Sequence, residues 1–175
     1  MSETFNYILD NRSTAALPIS DKTFSNETIF NQFIEFSYFH KVTFINCSFE
    51  DCDFLAGNFD FCIFKNCIFN NVTIRKLDIT DCTFEQCQFR LSSLAPKLEI
   101  FRTKFIKSQF TKVDFTATSF YHCEFREVDF TKINVKKTSV VDPKAEKITF
   151  NDVEFDPSAA MCIHLIDSRF FPKEF

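Results

Sequence analysis

Large apolar residues recur at every fifth position over most of this chain. From Phe39 the series runs Phe44, Phe49, Phe54, Phe59, Phe64, Phe69, Ile74, Ile79, Phe84, Phe89 and Leu94. The phase slips by one residue across Ala95–Glu99. It resumes as Ile100, Phe105, Phe110, Phe115, Phe120, Phe125, Phe130, Val135 and Val140, then Phe150 and Phe155, with Ala145 the one weak step. A smaller residue stands two places before most of them, among them Cys47, Cys52, Gly57, Cys62, Cys67, Cys82, Cys87, Ser108 and Cys123. A period of five fits neither the 3.6 of a helix nor the 2 of an alternating strand. The chain must return the same position to an interior axis every five steps.

The units CSFED, CDFLA, CIFKN, CTFEQ and CEFRE carry a central Phe with a small residue two places earlier. They resemble the repeat of the pentapeptide-repeat family, over roughly residues 39–155. That resemblance implies an all-β fold, a right-handed quadrilateral β-helix with four pentapeptides per coil. Residues 20 apart then share a column. One interior column reads Phe49, Phe69, Phe89, Phe110, Phe130 and Phe150; a second reads Phe44, Phe64, Phe84, Phe105 and Phe125. Coils at the sheet spacing of about 4.8 Å stack these rings into ladders. Residues 1–38 hold the period poorly, with Lys22, Glu27 and Gln32 at the small position, and are expected to form an irregular cap and the first coil. Residues 156–175 change character. Pro157 and Ser158 can start a short helix, with Ala159, Cys162, Ile163 and Ile166 on one face and Met161 and Leu165 widening it. Phe170 and Phe171 follow. This ending is similar to that of the quinolone-resistance (Qnr and MfpA-like) branch, which implies a homodimer formed through these residues.

Composition narrows the function. Of 175 residues, 27 are Phe, one is Gly and none is Trp. A single glycine excludes the Gly-rich loops that cradle phosphates or dinucleotides. The net charge of −4 argues against direct nucleic-acid binding. No apolar run is long enough for a membrane span, and the first residues lack a secretory pattern. The eight Cys are therefore expected as free thiols in a cytoplasmic protein. In the coil their spacing places them inward as small hydrophobes, so no metal site or other cofactor is expected. His40, His122 and His164 stand in no catalytic motif, and no enzymatic activity is expected. The pair Lys136–Lys137 reads as a solvated corner. Corners are expected to use Asn and Asp, such as Asn46, Asp51, Asn66 and Asp81.

One outer wall stands apart. Its outward positions gather Tyr38, His40, Phe61, Phe101, Tyr121 and His122. They also gather Asp60, Asp78, Asp81, Glu99 and Asp142, against only Lys41 and Arg102. Aromatic rings among acids point to a protein-binding surface, provided the cap or the slip segment does not fold over them. Resemblance to the quinolone-resistance branch implies a rod that imitates duplex DNA, binds DNA gyrase or topoisomerase IV and protects it from fluoroquinolones. Many members of that branch carry two projecting loops, whereas this chain has only the one-residue slip near Ala95–Glu99, which leaves open the loop-less, MfpA-like type. Charge qualifies the mimicry: residues 1–94 hold 7 basic and 12 acidic residues, residues 95–175 hold 13 and 12. The other expectation is a general interaction or scaffold β-helix unrelated to topoisomerase.

Overall fold

The computed structural model describes Thr4, Phe5, Leu9 and residues 18–153. Over residues 18–153 every regular element is a parallel strand, and the strands wind into a right-handed solenoid of about seven coils. The four walls are here called A to D in chain order. Wall A stacks Pro18–Ser20, Tyr38–His40, the ends of Asp53–Asp60 and Thr73–Thr80, then Glu99–Phe101, Ser119–Tyr121 and Ser139–Val141. Walls B, C and D follow at five-residue intervals. The long strands Asp53–Asp60 and Thr73–Thr80 run through the D–A corner, and Glu124–Thr131 and Lys144–Asn151 through the B–C corner. These continuous corners join the walls pairwise into two sheets.

The predicted columns are present. Phe44, Phe64, Phe84, Phe105 and Phe125 stack at 4.7–5.3 Å with ring planes within 12° of parallel. Phe49, Phe69, Phe89, Phe110, Phe130 and Phe150 stack at 4.6–5.3 Å. Neighbouring columns meet edge to face, as Phe64 meets Phe69 at 61°. Burying each ring contributes about 1.5–3 kcal/mol, and favourable ring geometry adds about 0.5–1.5 kcal/mol per pair.

The small position has a polar task as well. Cys62 Sγ donates to the carbonyls of Asp60 and, one coil away, Phe39. The same sulfur position in the next coil, Cys82, accepts from the backbone N–H of Cys62. Ser92, Thr103 and Ser108 do the same with their hydroxyls. Cys, Ser and Thr recur here because the site needs a small side chain that both donates and accepts.

Every corner uses a left-handed residue. From Asp21 to Asp152 one residue in each pentapeptide has φ between 45° and 62°. Asn46, Asp51, Asn66 and Asp81 are among them, as expected; so are Phe36, Phe61, Leu91 and a series of lysines. This conformation costs roughly 1–2 kcal/mol for an ordinary L-residue. It holds where the corner N–H donates along the stack, as Asn46 N does to Lys65 O at 2.9 Å and Phe61 N to Thr80 O at 3.0 Å.

The slip adds one residue to one corner. Register is 20 residues below it, as in Phe39↔Phe59, and 21 across it, as in Ile79↔Ile100, then 20 again in Ile100↔Phe120. The left-handed corner moves to Lys97, and Leu98 takes the inward place. The walls therefore resume in unchanged order.

The N-terminal block divides. Residues 18–38 already form a regular coil, despite Lys22, Glu27 and Gln32 at the small position. Among the described residues no further coil lies beneath them, and these longer side chains lie half-buried at the N-terminal end of the stack. Glu27 accepts from the backbone N–H of Phe5 through both carboxylate oxygens, at 3.0 and 2.8 Å. Phe5 itself is fully buried, with its ring 5.1–6.4 Å from those of Phe24, Phe39, Phe44 and Phe49. Leu9 is buried four residues on, and both have helical backbone. The expected C-terminal helix and its dimer residues, Ala159 to Phe171, lie outside the described residues.

Candidate functional site

Wall A presents three outward columns. Tyr38, Asn58, Asp78, Glu99 and Ser119 precede the central residues, and His40, Asp60, Thr80, Phe101 and Tyr121 follow them. The A–B corner adds Lys41, Phe61, Asp81, Arg102, His122 and Asp142, all at positive φ. Parallel pairing in register brings each residue beside its column neighbour, so the predicted site residues share one face.

Their contacts divide the acids into two groups. His40 Nδ1 lies 2.9 Å from Asp60 Oδ2, and His122 Nδ1 lies 3.0 Å from Asp142 Oδ2. Arg102 grips Asp81 with two parallel bonds, Nε to Oδ1 at 2.8 Å and the terminal nitrogen to Oδ2 at 2.6 Å. The guanidinium holds the Asp81 carboxyl below its usual range. Asp78 and Glu99 face each other in register, exposed, with no ion pair among the described residues. The wall is thus acidic chiefly at its centre. Three of its carboxylates are already matched by a cation or imidazole one coil away.

The aromatics also divide. Phe101 and Tyr121 lie half-buried and stacked on each other, with centroids 4.7 Å apart and planes at 12°. Tyr38 and Phe61 are exposed, and His40 meets the Phe61 ring edge-on at 5.8 Å. Neither the slip segment nor the described part of the cap covers them.

Three further rings escaped the sequence reading. Phe30, Phe33 and Phe36 stand outward on the first coil, and with Tyr38 and Phe61 they are 48–58 % exposed. Phe36 occupies the D–A corner beside Tyr38. Their phase is the usable signal: Phe30 follows a central residue by one, Phe36 by two, and Phe33 precedes one. The apparent irregularity of residues 1–38 hid it. Among the described residues the exposed aromatic rings are therefore concentrated at the N-terminal end of the stack.

The thiols are elsewhere and otherwise engaged. Cys47, Cys52, Cys62, Cys67, Cys82, Cys87 and Cys123 are buried and free. Burial pushes the Cys52 thiol up, and pushes that of Cys123 up to about 11. Among the described residues no group of three or more His, Cys, Asp or Glu side chains could hold a metal ion. No helix there is long and apolar enough to cross a membrane.

The family profile for pentapeptide repeats matches residues 36–71 and 101–134, in eight copies. No curated protein matches the chain. Among solved structures, a pentapeptide-repeat protein, Rfr23, from the cyanobacterium Cyanothece is similar at 8% identity. That match covers 74% of this chain and 91% of that one, with a TM-score of 0.37. A trypsin-treated variant of QnrB1, a plasmid-mediated fluoroquinolone resistance protein, is similar at 14% identity, 87% and 95% coverage and a TM-score of 0.30. HetL, a pentapeptide-repeat protein involved in heterocyst differentiation regulation in the cyanobacterium Nostoc, is similar at 7% identity, 83% and 94% coverage and a TM-score of 0.25. The matched repeats, the five-residue corner spacing and the stacked interior Phe columns agree: this chain carries pentapeptide repeats.

Proposed function

We propose that this chain is a non-enzymatic binding protein that engages a protein partner through wall A. The observation that carries this reading is Phe61. It is a large apolar ring held in a left-handed corner and exposed to solvent, unfavourable for the fold on both counts. A residue that costs stability in two ways is accounted for by a gain in binding. Tyr38, His40, Asp78 and Glu99 supply the rest of the surface, with rings for apolar contact and free carboxylates for basic side chains.

The finer reading takes the partner as DNA gyrase or topoisomerase IV, with protection from fluoroquinolones as the outcome. Its support is the sequence resemblance to the Qnr and MfpA-like branch. Purified protein should then inhibit gyrase supercoiling, or restore it in the presence of ciprofloxacin, with an effect that weakens at high salt. No effect at micromolar protein overturns the gyrase assignment. The pairing of Asp81 with Arg102 favours a second reading, a general interaction rod, because a DNA mimic needs its acids unneutralised. A cytoplasmic location belongs to both readings and is supported by thiols used as free hydrogen-bond donors. Both readings include a dimer through residues 156–175. Ile163→Asp should then sediment as a monomer, and an unchanged dimer refutes that interface.

A further inference from the structure

The other side of the D–A corner carries the opposite charge. In the C-terminal half of wall D, Lys112 and Lys132 occupy successive C–D corners, and Lys97 and Lys137 occupy D–A corners, with Lys136 beside the latter. All five are exposed. Lys97, Lys112, Lys136 and Lys137 make no ion pair among the described residues, and Lys132 alone of the five is paired, with Asp152 at 3.8 Å. The strip between the rows is small and polar: Ser93, Asp114, Thr116 and Asn134. Its one carboxylate, Asp114, is turned inward on its own loop, taking the Thr116 N–H at 2.9 Å and the Thr116 hydroxyl at 2.6 Å. By contrast the wall B lysines are matched: Lys65 with Glu85, Lys104 with Glu124, Lys147 with Glu127.

We propose that this strip binds the phosphate backbone of duplex nucleic acid, independently of wall A. The net charge of −4 averages over four walls and conceals this segregation. Lysines in one row stand roughly 5 Å apart per coil, and the two rows, one five-residue wall apart, are separated by roughly 10–15 Å. That separation is comparable to the major-groove width of about 12 Å, so each row can face one backbone. Lysine is a flexible point charge rather than a planar fork, which suits phosphate contacts and not base reading. No aromatic ring lies between the rows to stack unpaired bases, which favours a duplex over a single strand.

The test is fluorescence anisotropy of a short fluorescein-labelled DNA duplex titrated with full-length protein, repeated between about 50 and 200 mM salt. Binding should weaken with salt, with a log–log slope of about −4.5 for five phosphate contacts. Lys112→Gln, Lys132→Gln and Lys137→Gln together should cut the slope by about 3 and weaken binding more than tenfold at low salt. Gln86 already occupies such a corner at φ 55°, so the triple variant keeps the fold. The control triple Lys65→Gln, Lys104→Gln and Lys147→Gln should leave the slope unchanged. Absence of binding at low salt overturns the proposal, as does equal loss in the control. Displacement of the duplex by equal charge of poly-glutamate or of phosphatidylserine vesicles overturns the assignment to nucleic acid.

Discussion

A methyl group on Gly57 would overlap the carbonyl oxygen of Ser37 in the coil below and press on its carbonyl carbon at 3.0 Å. The only glycine of the chain thus stands where the backbone of the coil below leaves no room for a side chain. That carbonyl also accepts from Asn58 N at 3.2 Å, so it cannot withdraw freely. Gly57→Ala should destabilise the rod by about 1–3 kcal/mol. Calorimetry should record a fall of about 2–4 °C in Tm per kcal/mol for a chain of this size.

The exposed corner rings invite substitutions of opposite sign on stability and binding. Asn tolerates the left-handed region that Phe36 and Phe61 occupy, as Asn46 and Asn66 already do. Phe36→Asn and Phe61→Asn should each raise stability by about 0.5–1 kcal/mol in chemical denaturation. Partner binding should fall in the same proteins, measured by pull-down with gyrase. A variant that loses stability removes the argument that these rings cost the fold anything.

Acids on wall A should differ in weight. Asp78→Asn and Glu99→Gln remove free charge, whereas Asp142→Asn removes one already beside His122. The first two should weaken partner binding most and reduce its salt dependence. Equal effects at all three positions would mean that the ion pairs open on binding.

The buried thiols give the rod an alkaline limit. Cys123 has a folded pKa of about 11 against 9.0 for the free thiol, because burial disfavours the thiolate. A raised pKa favours the protonated, folded form. Its stability contribution is complete below about pH 9 and falls away as pH rises toward 11. Cys123→Ser should flatten thermal stability against pH over that window. A thiol reagent at pH 8 should label these cysteines only as fast as the rod unfolds.

The interior columns should fail by cavity. Phe84 stacks on Phe64 at 4.7 Å and on Phe105 at 5.2 Å, with its ring fully enclosed. Phe84→Ala should cost about 3–5 kcal/mol and Phe84→Leu much less, by denaturant titration.

The interior was legible because each coil repeats one decision. A ring every five residues and a small donor–acceptor two places before it mark Phe84 and Cys82 without any knowledge of neighbours. The slip was legible too, since Leu94 and Ile100 stand six apart. The outer wall was legible as a grouping but not as electrostatics. The pairing of Asp81 with Arg102 depends on the extra residue that offsets them by 21, and on rotamers that no pattern encodes. The bounds of the first coil were not legible because Glu27 breaks the small-residue rule. Its reason lies 22 residues away, in the N–H of Phe5.

The corner at Lys97 has a consequence for how such a chain can change length. One added residue within a strand would turn every later side chain to the wrong face. Placed at a corner, it is absorbed locally, and Ile100 again stands above Ile79. The solenoid therefore works as a self-correcting frame, in which insertions survive at corners and are rejected on walls. Its length can drift through evolution without loss of alignment among the rings inside.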